Sequence, residues 1–105
     1  MQAVIVRHFG GPEALEVTDV PVPHPGAGQV RITVQAAAVN PVDLATRAGM
    51  LARDGLMAAA GPVGIGWDLA GVIDAVGPGV RRLRAGQPVI GLRDLLTATD
   101  RKSVV

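Results

Sequence analysis

Cysteine and tyrosine are both absent from the 105 residues, and one tryptophan and one phenylalanine are the only large aromatic side chains. Without cysteine the chain has no disulfide, no thiol nucleophile and no cysteine-ligated zinc site. No apolar run approaches the ~20 residues that span a membrane. No basic stretch followed by an apolar run marks a signal peptide. We therefore expect a cytoplasmic protein with no membrane partner.

The chain also has no large excess of charge of one sign. It contains ten basic and nine acidic residues, and its net charge is +1. Only Arg81, Arg82 and Arg84 cluster, beside a turn, which is typical of a solvated loop. Without a broad basic face we expect no nucleic-acid partner. A chain of this length forms one domain with a modest core.

Extended segments dominate the pattern. Gln2–Arg7 and Leu15–Asp19 are rich in strand-forming residues. Three prolines in Val20–Gly26 keep that stretch extended and outside a sheet interior. In Val30–Val39, alternate residues are apolar up to Ala36, which predicts a half-buried strand. Gly66–Val76 and Pro88–Leu92 are the later predicted strands, with turns between them. Together these patterns indicate a mainly β protein with short helices, a small barrel or sandwich.

The longest strand pattern is followed by a helix start. Asn40 suits the N-cap, Pro41 the first helical position, and Asp43 the positive end of the helix dipole. Gly49 is a plausible C-cap. Met50–Pro62 fits either a second short helix or an apolar loop. Gly71 lies inside a predicted strand, where glycine marks a bulge or a close backbone approach.

Several segments resemble motifs of the medium-chain dehydrogenase/reductase superfamily in its zinc-independent, quinone oxidoreductase-like form, and they follow one another in the same order as in that family. They are Met1–Val17, Pro23–Gly26 with Gln29–Val30, Ala38–Leu44, Gly66–Val72, Gly77–Val80 and Gly86–Val89. The resemblance implies a catalytic-domain portion over residues 1–98. Its fold would be a partly open, GroES-like β-barrel, incomplete at the C-terminus because relatives return to it with later strands.

The same resemblance predicts that no metal is bound. Zinc-dependent relatives place a cysteine where this chain has Asn40, and a His-Glu pair where it has Trp67 and Asp68. A catalytic zinc needs three protein ligands and an open position. Asp68 alone fits a strand-end carboxylate better than a metal ligand.

In zinc-free relatives the Asn-Pro turn lies beside the nicotinamide, so Asn40, Pro41 and Asp43 are candidate cofactor-binding residues for NADPH. The Asn40 amide offers a donor and an acceptor, although a plain N-cap also explains it. Asp43 fits a purely structural role as well. Leu51 and Trp67 are candidate substrate-cleft residues, and core packing is the alternative for Trp67. No catalytic acid or base is assigned.

Two features separate this chain from a complete quinone reductase. Relatives often carry a tyrosine after the Asn-Pro helix, where this chain has Met50 and Leu51, so quinones, enones and enoyl thioesters all remain open as substrates. Gly64–Leu69 begins like a dinucleotide loop but lacks the third glycine and precedes a strand rather than following one. We therefore predict that the cofactor-binding domain lies outside this chain.

The hypothesis is that this chain is the N-terminal part of an NADPH-dependent oxidoreductase. The intact parent, a homodimer, would reduce a quinone or an activated C=C bond by hydride transfer, and the 105 residues alone would be inactive. The alternative is a stand-alone GroES-like module that binds other proteins, and a crystallin-like structural role is weaker still.

Residues 99–105 carry no pattern that links them to the preceding chain. One set of codons for Asp100–Val105 resembles a common sequencing adapter. We therefore expect 99–105 to be a non-native tail.

Overall fold

The computed structural model describes residues 1–57, residues 62–92 and the backbone of one further strand, Lys102–Val104. Seven strands and two α-helices follow one another along the described chain. They are β1 (Gln2–Val6), β2 (Leu15–Asp19), β3 (Val30–Ala37), α1 (Pro41–Ala48), α2 (Met50–Arg53), β4 (Val63–Gly64), β5 (Asp68–Val76), β6 (Pro88–Leu92) and β7 (Lys102–Val104).

The strands form two antiparallel sheets. One has the order β2-β1-β4 and the other the order β6-β5-β3-β7. The described strands leave the sheets unclosed, so the predicted class, mainly β with short helices and an incomplete barrel, is confirmed. No helix in the described part of the chain is long and apolar enough to span a membrane.

The core lies mainly on the inner face of the four-stranded sheet. Four buried side chains of β3 and β5 form it, and three partly buried valines pack against them: Val30, Ile32, Leu69 and Ile73, with Val34, Val80 and Val89. Burying such branched side chains contributes about 1.5–3 kcal/mol each. The three-stranded sheet adds Ala3, Ile5 and Val6 from β1.

The predicted alternation along β3 holds only in its first half. Val30 and Ile32 are buried, but Val34 is half-buried and Ala36 is exposed. The pairing with β5 shifts register between Val34 and Ala36, which rotates the following residues away from the core. The strand therefore ends at Ala37, before the Val39 that the pattern predicts.

Gly71 occupies a position that no larger residue fits. A Cβ atom there would lie 2.1 Å from the Thr33 backbone oxygen of the neighbouring strand. The predicted close backbone approach is confirmed, and it falls beside one of the register shifts of β3.

Most turns and termini follow the sequence pattern. Gly49 ends α1 in the left-handed conformation with φ of 84°. Part of the ambiguous segment forms α2, while residues 58–61 lie outside the described chain. The turn after Gly11 contains a short 3₁₀ helix, Pro12–Ala14. Backbone N–H groups of Glu13 and Gly11 lower the pKa of the exposed Glu13 carboxyl there.

Candidate functional site

The start of α1 is built by a reciprocal cap. Asn40 has extended backbone angles and Pro41 takes the first helical position, so Asn40 and Asp43 stand at the two ends of a capping box. The Asn40 backbone N–H donates to Asp43 Oδ2 at 2.9 Å. This arrangement satisfies a donor that the first turn of a helix otherwise leaves unpaired.

Asp43 also ties the helix to the β4–β5 connection. Its side chain is buried, and its second oxygen, Oδ1, accepts a hydrogen bond from the Gly66 backbone N–H at 3.0 Å. Gly66 has a φ of 113°, a left-handed conformation that favours glycine. Both carboxylate oxygens of Asp43 are thus engaged inside the chain.

A second bond joins the two sequence motifs directly. Asn40 Nδ2 donates to Asp68 Oδ1 at 2.8 Å, across 28 residues of sequence. Asp68 is the first residue of β5, and the preceding turn at Gly66 brings it to the helix start. We call Asn40, Asp43, Gly66 and Asp68 the clamp, because three hydrogen bonds hold them together.

The two candidate substrate-cleft residues lie differently. Trp67 sits between Gly66 and Asp68, just before β5, and is half-buried. Its indole Nε1 is buried without a hydrogen-bond partner among the described residues. Leu51 is a half-buried residue of α2. Their assignment to a substrate cleft stays a prediction, since neither lines the two cavities described next.

The larger cavity has a volume of about 760 Å³ and lies at the end of the four-stranded sheet, where Asp68 begins β5. That size is typical of a small-molecule site. Its wall is made of small or apolar residues around one carboxylate: Ala36, Ala37, Ala38, Asp68, Leu69, Ala70, Ile90, Gly91 and Leu92.

The smaller cavity, about 270 Å³, shares the wall residues Ala37 and Ala38 with the larger one. It contacts the clamp through Asp43 and Gly66, and its other wall residues are Val4, Leu15, Ala37, Ala38, Val39, Leu44, Arg47 and Ile65. Val39 is 83% exposed and Leu44 is 51% exposed. The turn therefore presents apolar side chains outward while α1 buries its polar residues Asp43 and Thr46.

No group of three or more metal-ligating side chains occurs within the described ranges. Asp68, the residue considered above as a lone metal ligand, accepts a hydrogen bond from Asn40. His8 and His24 are both exposed.

The bond from Asn40 to Asp68 was not predicted from the sequence. The sequence shows one polar residue in each motif, Asn40 and Asp68. Only the pairing of β3 with β5 brings the end of β3 beside the start of β5, and with it these two residues together. A second unpredicted network spans the same strands. Arg31 Nε donates to Asp74 Oδ1 at 2.6 Å, and Thr33 Oγ1 donates to Asp74 Oδ2 at 2.8 Å.

Comparison with known proteins gives one consistent assignment. Residues 26–101 match the alcohol dehydrogenase GroES-like domain family. A quinone oxidoreductase from Lama guanicoe is 44% identical over 90 residues, which are 85% of this chain and 26% of that protein. A 2-haloacrylate reductase from a Burkholderia species is 35% identical over 89 residues, again 85% of this chain and 26% of that protein.

The fold is shared with solved structures as well. A mycobacterial protein solved in complex with NADPH superposes with a TM-score of 0.77 at 33% identity, covering 88% of this chain and 27% of the other. The chain thus spans about a quarter of the length of the curated relatives it matches.

Proposed function

Because this chain belongs to the GroES-like domain family of the alcohol dehydrogenases, in the quinone oxidoreductase-like branch of the medium-chain dehydrogenase/reductase superfamily, we propose that it is the N-terminal catalytic-domain part of an NADPH-dependent oxidoreductase. The intact enzyme reduces a quinone or an activated C=C bond. The observation that supports the proposal is the clamp, in which Asn40 donates a hydrogen bond to Asp68, a wall residue of the cavity of about 760 Å³. Asn40 and Pro41 themselves line neither of the two cavities.

We propose that the nicotinamide ring lies at the edge of this cavity. Alanines on β3 and β5 leave the cavity wall shallow, and the adjoining turn presents Asn40 and Pro41, which we propose to hold the ring. When bound, the cofactor supplies the hydride. Because both Asp43 oxygens already accept hydrogen bonds within the chain, we propose that Asp43 supports the cofactor by holding the turn.

The rest of the chemistry here is positioning. The clamp restricts Asn40 to one orientation, since Asp68 accepts from its Nδ2 atom. The cavity wall beside Asp68 is apolar, and Leu51 and Trp67 remain our candidates for the substrate side. A group held in a near-attack geometry reacts faster because its translational and rotational freedom has already been lost.

The first experiment reads the source gene past Ala98 and expresses the intact protein. We expect the reading frame to continue into further barrel strands and a dinucleotide-binding unit, and residues 99–105 to be replaced. The intact protein should oxidise NADPH in the presence of 1,4-benzoquinone or methyl vinyl ketone, measured by the loss of NADPH absorbance. If NADPH is not oxidised in the presence of either acceptor, the proposal is wrong. A stop codon after Val105 would favour the binding-module alternative.

Asn40→Ser separates a cofactor contact from a simple helix cap. Serine is as good an N-cap as asparagine but lacks the carboxamide. We expect the KM for NADPH of the intact enzyme to rise about tenfold, as lost hydrogen bonds of this kind imply. The substitution also removes the bond from Asn40 Nδ2 to Asp68, so the free energy of unfolding should fall by about 1–3 kcal/mol. An unchanged KM would leave Asn40 as a helix cap and a partner of Asp68 only.

A further inference from the structure

The wall of the 760 Å³ cavity carries a single kind of charge. Among the described residues that line it, Asp68 is the one ionisable side chain. The remaining wall consists of alanines, one glycine and the apolar side chains of Leu69, Ile90 and Leu92. No lysine, arginine or histidine of the described wall offsets the carboxylate.

Among the described residues, Asp68 is held in place by a neutral donor. It is half-buried, and Asn40 Nδ2 donates to its Oδ1 atom at 2.8 Å. An amide donor orients a carboxylate but carries no net charge. Within the described ranges, Asp68 takes part in none of the ion pairs. Within the described wall, then, no cation offsets the carboxylate that faces the cavity.

A like charge that comes close to the Asp68 carboxylate is repelled, and salt screens this repulsion where the cavity opens to solvent. A neutral carbonyl compound is not repelled by the Asp68 carboxylate, whereas a substrate that carries a carboxylate or a phosphate ester is repelled.

We propose that Asp68 is a charge filter that makes the cavity select neutral quinones or enones over substrates carrying a carboxylate near the reacting bond. This inference rests on the proposed oxidoreductase function and narrows its substrate class. It assigns to Asp68 direct contact with the substrate side of the site, beyond its bond to Asn40.

The test compares substrates of one skeleton that differ in charge. The intact enzyme is assayed with NADPH and either 2-chloroacrylamide or 2-chloroacrylate, and kcat/KM is measured for each. Asp68→Asn keeps the size of the side chain and an oxygen that accepts from Asn40. We expect this variant to raise the ratio of kcat/KM for the anion to kcat/KM for the amide about tenfold. Only this ratio is read, because the weaker bond to Asn40 can lower both absolute values.

Two further measurements serve as a control variant and as a test that needs no variant. Asp54→Asn removes the same charge from an exposed position at the end of α2, and the ratio of the two kcat/KM values should remain that of the unmodified enzyme. In the unmodified enzyme, inhibition by unreactive propionate should strengthen relative to propionamide as salt is raised, because screening weakens the repulsion. This second measurement needs no variant and so stands even where Asp68→Asn fails to fold.

The outcomes separate the two proposals. If the intact enzyme reduces the amide but Asp68→Asn leaves the ratio unchanged, or lowers both values equally, the charge filter is wrong and the oxidoreductase function stands. If NADPH is oxidised with neither compound nor with a quinone, the oxidoreductase function is wrong and the filter with it. If the ratio shifts toward the anion in Asp68→Asn alone, the filter is confirmed.

Discussion

Asp43 shows how one buried side chain holds two segments of this protein together. It is 3% exposed, and its two oxygens accept from the backbone N–H groups of Asn40 and Gly66. A buried carboxylate that accepts two backbone donors stabilises the folded chain only while both bonds are made. The residue therefore acts on the geometry of the turn, and through that turn on Asn40.

Asp43→Asn should lower the free energy of unfolding by about 1–3 kcal/mol, because one of the two backbone donors then faces an amide NH₂ group instead of an oxygen. Urea unfolding followed by the fluorescence of Trp67, the single tryptophan, measures this. Asp54→Asn is the matched control, since Asp54 is largely exposed, and it should change stability by less than about 0.5 kcal/mol. Equal urea midpoints for the two variants would contradict the assigned role.

Gly71 is the second residue whose identity is dictated by a neighbour. The Thr33 backbone oxygen occupies the space that a Cβ atom would need. Gly71→Ala should therefore push β3 and β5 apart and destabilise the protein by about 1–3 kcal/mol, as overpacked substitutions do.

The control for Gly71 is another strand glycine. A Cβ atom at Gly91 would meet Leu69 Cδ1 at 3.4 Å and Ile32 Cδ1 at 3.8 Å, which are ordinary contacts. Gly91→Ala should be close to neutral in the same urea experiment. A destabilisation of Gly91→Ala as large as that of Gly71→Ala would show that loss of glycine alone, rather than the close approach of β3, is responsible.

At the scale of elements, each of the two sheets contains one of two cross-strand ion pairs, which are similar in geometry but differ in burial. Arg31 and Asp74 join β3 to β5 with side chains 17% and 24% exposed. Arg7, just after β1, pairs with Glu16 of β2, with side chains 49% and 46% exposed. Exposed pairs contribute little because water and salt screen them, whereas partly buried pairs are screened less.

Double-mutant cycles on these pairs should therefore differ. We expect a coupling free energy of about 1 kcal/mol for Arg31 with Asp74 and below about 0.5 kcal/mol for Arg7 with Glu16. The measurement is urea unfolding of each single and double alanine variant at low and high salt. A larger coupling for the exposed pair, or equal loss of both couplings in salt, would contradict the role of burial.

The element β6 raises a different question, which belongs to the whole molecule. It is an edge strand of the four-stranded sheet, its five residues carry no charge, and Ile90 and Leu92 are 88% and 70% exposed. Uncharged, apolar edge strands pair readily with other chains. In the intact parent, we expect further chain to cover this edge. In the 105-residue chain nothing described does so.

We therefore expect the 105-residue chain to self-associate, and Ile90→Lys to shift it toward the monomer by placing a charge on the β6 edge. Sedimentation equilibrium measures the mass. Leu56→Lys is the control, because Leu56 is also 70% exposed but lies in a turn. A monomeric unmodified chain, or an equal effect of Leu56→Lys, would contradict association through β6.

Local residue preferences predicted much of this molecule. The cap at Asn40, the left-handed end of α1 at Gly49 and the strand Pro88–Leu92 follow from effects that act within a few residues. The β3 pattern was wrong beyond Val34, because a register shift against β5 depends on a strand more than thirty residues away. Sequence alternation carries no information about such a shift.

The sequence by itself predicted β1, β2, β3, β5 and β6, the two ends of α1 and the close approach at Gly71. Only the tertiary structure decided that Asp68 pairs with Asn40, that both oxygens of Asp43 are used internally, and that Asp68 supplies the charge in an otherwise uncharged described cavity wall. The physical reason is distance along the chain. Caps and turns are local hydrogen-bonding choices, whereas the clamp exists because antiparallel pairing brings the end of β3 beside the start of β5.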